Sequence, residues 1–151
     1  MHIQEKQGVY FVSGDINEDS NLNTYNLPSG KIRLDLSDLK SINSIGIRMW
    51  INGLEKFNIT PIYINCPHFF VSLLNMVREL FENKALIESF KIPVYCPTCR
   101  ENSDLTLRSG IDFSPGKVFS YTFPKCKNDE STLESIVDID TDFYFIQELK
   151  P

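Results

Sequence analysis

Between Ile32 and Phe57 the chain changes its hydrophobic period. Ile32, Leu34 and Leu36 alternate with Arg33, Asp35 and Ser37, a period of two that predicts a strand with one buried face. A polar loop through Ser41, Asn43 and Ser44 follows, after which Ile47, Trp50, Ile51, Leu54 and Phe57 recur at helical spacing and predict a helix near 44–58. Phe70, Leu73, Leu74, Val77, Leu80 and Phe81 form a second stripe, on a helix expected over 67–82. Apolar strands alternating with such helices point to an α/β fold, a sheet with parallel strands and helices on one side.

The loop at 41–46 lies at a strand's carboxyl end and a helix's amino end, where free N–H groups and the helix dipole favour anionic groups. Here the sequence resembles the STAS domain, the sulfate-transporter and anti-sigma-factor-antagonist module. That family's motif runs from a strand ending near D-L-S through a loop of the type I-D-S-S-G into a helix; the matching residues are Asp35, Leu36 and Ser37, then Ile42, Asn43, Ser44, Ile45 and Gly46. The resemblance extends to Val9–Ile16, with Gly14, as a first strand, to Pro61–Cys66 as the next parallel strand, to His68–Phe81 as the following helix, and to a final strand from Leu86 through Val94. It covers residues 1 to about 94 and implies a STAS-like mixed sheet with covering helices. It also implies a regulatory or scaffolding role, binding a protein partner such as an anti-sigma-factor-like signalling protein through Asn43, Ser44, Ile45, Gly46 and Arg48. The family's phosphorylated serine directly precedes the motif glycine. That position is Ile45, which has no hydroxyl, so phosphate control at the usual place is not expected; Ser44 reads as a helix N-cap.

Composition narrows the function classes. At 151 residues, 42% hydrophobic, the chain can bury a sizeable core and forms one or at most two units. No apolar run approaches the roughly 20 residues of a membrane span. The amino terminus lacks the basic and apolar regions of a secretory signal, so a cytoplasmic protein is expected. A net charge of −5 argues against nucleic acid and anionic membranes as partners. With two histidines, no glycine-rich phosphate loop and no Ser-His or Cys-His constellation, a binding module is expected rather than an enzyme.

The chemistry of the chain concentrates after Pro93. Cys96 and Cys99 have the Cys-x2-Cys spacing of a zinc knuckle, with a thioredoxin-type redox pair as the weaker alternative. Residues 95–151 look like a degenerate zinc ribbon, a small β-rich extension. Its expected hairpin pairs Leu105–Leu107 with Val118–Phe123, and Pro124, Lys125 and Cys126 resemble the second half of a C-P-x-C knuckle in which Phe123 replaces the first cysteine. Cys96, Cys99 and Cys126 are then three zinc ligands; Asp129, His68 or a water are candidates for the fourth, and a metal-free ribbon is the competing reading. Cys66 reads as a small core hydrophobe and Trp50 as core. The acidic tail, Asp129, Glu130, Glu134, Asp138, Asp140 and Asp142, alternates with Ile136, Ile139, Phe143 and Phe145 as an edge strand would. Two functions stand side by side: a STAS-like partner-binding module, and a ribbon protein centred on its cysteine site with the first part as a docking or homodimerisation platform.

Overall fold

The computed structural model describes residues 1–78, 80 and 85–149. A five-stranded mixed sheet takes up the first part, in the order β1 (His2–Lys6), β2 (Val9–Ile16), β3 (Gly30–Ile42), β4 (Ile59–Ile64) and β5 (Leu86–Ile87). β1 runs antiparallel to β2 and the other neighbours are parallel. β1 was not anticipated from the pattern of apolar positions. It is joined to β2 by Gln7 and Gly8, both at positive φ (53° and 79°), and such two-residue turns match the twist of the strands they connect.

The helix α1 (Ser44–Lys56) occupies the expected span, between β3 and β4. Its buried Trp50 donates from Nε1 to Tyr63 Oη at 3.0 Å, and Tyr63 meets Phe70 of α2 (His68–Met76) ring to ring. Both helices therefore cover one face of the sheet, over Leu34 and Leu36, which are fully buried. Gly46 sits where α1 meets β2: a Cβ there would stand 2.2 Å from the Ile16 carbonyl oxygen. The second helix is shorter than its hydrophobic stripe suggested. Val77 is already extended (φ −123°, ψ 91°), and Phe81 lies outside the described residues.

The expected strand 86–94 divides at Glu88. Only Leu86–Ile87 joins the first sheet; Ser89–Tyr95 (β6) opens a second, three-stranded antiparallel sheet between β7 (Asn102–Arg108) and β8 (Glu134–Ser135). Glu88 stays at the junction, where its amide donates to the Tyr63 carbonyl and its carboxylate pairs with Arg33 at 2.6 Å. The division expected at 94/95 falls inside β6.

A buried polar joint links the two sheets. Asn65, just past β4 with φ 52°, donates its main-chain N–H to Ser89 Oγ (2.8 Å) and its side-chain amide to Asp35 Oδ2 (2.7 Å); Asp35 Oδ1 accepts the Ser37 N–H. Beside it Cys66 bridges to Phe90, so one continuous apolar core runs from the first sheet into the second. Phe90 packs there on Phe113, Phe143 and Phe145 at centroid distances of 5.1, 5.4 and 5.5 Å.

Two further expectations are corrected. Residues 118–123 form no strand, and β7 pairs with β6 instead. The acidic tail contributes only Glu134–Ser135 to a sheet; beyond it come two short helices, α3 (Ile139–Asp142) and α4 (Phe145–Glu148). Of the residues in that alternation only Phe143 and Phe145 are buried, joined by Ile146, while Ile136 is exposed; Asp138 caps α3 from its side chain. Asn75 on α2 ties this end down, donating to the Asp142 carbonyl and accepting the Phe145 N–H. Among the described residues no helix is long and apolar enough to cross a membrane.

Candidate metal centre

Two turns meet at the far end of the second sheet. The first follows β6: Cys96 accepts the Arg100 N–H at its carbonyl, its own N–H donates to the Glu101 carbonyl, and Arg100 takes a positive φ (60°) to close the turn. The Cys99 N–H then points at Cys96 Sγ, 3.4 Å away. The second turn is closed by a short ladder, with Cys126 N–H donating to the Ser131 carbonyl and Leu133 N–H to the Pro124 carbonyl. Because β8 follows directly and pairs with the end of β6, through Tyr95 with Glu134 and Val94 with Ser135, the second turn is carried onto the first.

The result is a cluster of Cys96, Cys99, Cys126 and Asp129 whose ligand atoms all lie within 4.8 Å of one another. Cys99 Sγ and Cys126 Sγ are 3.7 Å apart, and Cys96 Sγ is 3.2 Å from Asp129 Oδ2. A tetrahedral zinc with bonds of about 2.3 Å to sulfur and about 2.1 Å to oxygen needs edges of roughly 3.8 Å (S to S) and 3.6 Å (S to O). The sulfur pair meets this spacing and the sulfur–oxygen contact is shorter, so the four groups stand within reach of one shared ion.

Its hydrogen bonds favour charge on two of the four groups. Burial works against ionising Cys96, but hydrogen bonds from Ser131, from the Cys99 amide and from neighbouring groups outweigh it and lower its pKa. Hydrogen bonds from the Ser131 hydroxyl and amide hold the Asp129 carboxyl below its ordinary range. For Cys99 the Glu101 amide favours the thiolate, yet the sulfurs of Cys96 and Cys126 and the partial burial prevail and push its pKa up to about 11. A cation among the four would reverse that preference. Three thiolates and one carboxylate, with no corner left to water or substrate, form a donor set of the closed, structural kind that suits zinc.

Ser131, which touches both Cys96 and Asp129, had no signal of its own in the sequence. Asp129 had one: Cys126 to Asp129 repeats the three-residue step from Cys96 to Cys99. Phe123, at the position expected for a lost ligand, instead meets Tyr121 edge-on at 5.3 Å. His68 is outside the cluster; it opens α2 with Nε2 buried and without a hydrogen-bond partner. Cys66 is enclosed in the core, where burial pushes its thiol pKa up.

The residues of the 43–48 loop are brought together at the start of α1. Asn43, not Ser44, is the N-cap: its Oδ1 accepts the Gly46 N–H at 2.7 Å, while its Nδ2 donates to Glu18 at 2.9 Å. Ser44 is the first helical residue and exposed. Ile45 (55% exposed) and Arg48 also face solvent, whereas Gly46 is buried against the Ile16 carbonyl.

No family model matches this chain, and no curated protein or solved structure shows significant similarity to it.

Proposed function

We propose that the chain is a non-enzymatic binding module whose second sheet is held at its tip by a structural zinc ion on Cys96, Cys99, Cys126 and Asp129. One observation supports this reading: four ligand atoms from two separate turns converge within 4.8 Å of one another, close enough to share one ion. Elemental analysis of the purified chain should find about one zinc per chain. Cys126→Ser should abolish retention through gel filtration against a chelator, and Asp129→Ala should weaken it. Substoichiometric metal in the unsubstituted chain, after expression with added zinc, would overturn the reading.

A second reading concerns the first sheet, which we take as a STAS-like platform docking a protein partner through Asn43, Ser44, Ile45 and Arg48. It is supported by the exposure of Ile45, an apolar side chain held out on a capped helix start. Ile45→Asp should abolish capture of such a partner while leaving the circular dichroism spectrum unchanged. Unaltered capture by that variant would reject it.

A further inference from the structure

The same four-residue cluster contains two unequal kinds of sulfur. Cys96 is buried and engaged from several sides, by the Ser131 hydroxyl, by Asp129 and by the Cys99 amide. Cys99 and Cys126 are both half-buried, and their sulfurs face each other at 3.7 Å. They come from different turns, 27 residues apart in the chain. A disulfide needs the sulfurs at about 2.05 Å. The remaining approach falls to these two half-buried side chains, while Cys96 is held by its own hydrogen bonds.

We propose that Cys99 and Cys126 are a redox switch, closing to a disulfide under a peroxide and releasing the metal while the two turns stay joined. The release half rests on the zinc reading above; the pairing of sulfurs does not. In the first step one of the two thiolates attacks a peroxide oxygen. The O–O bond breaks, the sulfur becomes a sulfenic acid, and the departing hydroxide takes up a proton to form water. The other thiolate then attacks that sulfur, the S–S bond forms, and the expelled hydroxide is protonated to a second water. The two sulfurs give up two electrons, hydrogen peroxide accepts them, and two protons come from solvent. Cys96 and Asp129 alone are too few to hold zinc against a chelator.

The pairing has a structural consequence. An intra-turn link between Cys96 and Cys99 would free the 126–131 turn, since nothing covalent would then span the two turns. A Cys99–Cys126 link replaces the metal's cross-connection with a covalent one. Discharge of the metal would then leave the second sheet closed.

The test uses the full chain, loaded with zinc and titrated with hydrogen peroxide in the presence of a chromophoric zinc chelator. One zinc should appear per disulfide formed, the intact mass of the metal-free chain should fall by two hydrogen atoms relative to its dithiol form, and peptide mapping after alkylation should recover a Cys99–Cys126 cross-link. Dithiothreitol and zinc should restore the starting state, and the oxidised chain should resist protease as the zinc form does. A Cys96→Ser chain, which keeps both partners, should give the same cross-link. A Cys96–Cys99 link, zinc release with sulfinic acids and no link, or retention of zinc at several equivalents of peroxide would each overturn the proposal. If the chain takes up no zinc, the metal reading fails separately, and the reduced metal-free chain treated with peroxide still decides the pairing.

Discussion

The two sheets of this molecule are stabilised differently. In the first, the strands β2, β3 and β4 run side by side and two helices bury their apolar stripes on one face, so packing on a regular hydrogen-bonded sheet defines the structure. The second is packed at its base, where Phe90 gathers the aromatic rings, and irregular at its tip, where residues 114–133 carry one isolated bridge, Lys125 with Thr132, and no regular strand. The candidate ligands sit at that tip. That segment buries Phe119 and Leu133 but has little regular pairing to offset the conformational entropy of its ordering, and a metal link would supply the missing constraint.

The sharpest break of this contrast sets Leu34→Ala against zinc removal. Leu34 is fully buried in the central strand, and its truncation should cost about 2–5 kcal/mol in chemical denaturation. Stripping the metal should instead open the tip to protease while the fluorescence of Trp50, the single tryptophan, stays that of a buried indole. Loss of the Trp50 signal on chelation would show that the two regions unfold as one. Next in size is Gly46→Ala. With the Ile16 carbonyl oxygen 2.2 Å from the added methyl, α1 must shift, and a loss of about 1–3 kcal/mol is expected from the same denaturation experiment, with zinc content unchanged. A smaller effect separates Asn43 from Ser44. Asn43→Ala removes the cap and should cost about 0.5–2 kcal/mol, whereas Ser44→Ala should stay within about 0.5 kcal/mol.

The smallest expected signal is a pH effect confined to the tip. In the metal-free chain the Cys99 pKa is raised to about 11, so folding favours the thiol. Its contribution is complete below the ordinary thiol range and is lost as pH rises through about 11. Zinc asks for the opposite form, so loading should weaken on acidification and release protons as it proceeds. Thiolate absorbance followed on the metal-free Cys99→Ser and parent chains should assign the titration near 11 to Cys99, with the core thiol of Cys66 titrating beyond it.

How far the sequence revealed all this follows the range of the interactions involved. The strand through Ile32, Leu34 and Leu36 and the helix at 44–56 match their hydrophobic periods, because burial of one face is a local property of a segment. The Cys-x2-Cys step was legible for the same reason. Strand partners were not: β7 pairs with β6 rather than with 118–123, a choice made between segments whose local patterns are equally compatible with pairing. The break at Glu88 was hidden because Leu86 to Val94 remains strand-like on both sides of it, and it is long-range partners, the Tyr63 carbonyl, the Ser109 N–H and Arg33, that fix the residue where the sheets part. The cap at Asn43 was misassigned to its neighbour since both residue types serve equally well there. Asp129 was visible as one of three candidates for the fourth position, and the choice over His68 or water was not legible, because the ladder from Pro124 to Leu133 that aims it is a feature of the fold.

The joint at Asn65 bears on which sequences can occupy this fold at all. The position asks for a positive φ and, at the same time, a side-chain donor to the buried Asp35 carboxylate. Glycine accepts the backbone but brings no amide. Aspartate tolerates the backbone but would set a second carboxylate 2.7 Å from the first. Alanine satisfies neither demand. Asparagine here is therefore locked to Asp35: a lineage can drift away from one only by giving up the other, and the two positions should change together or not at all.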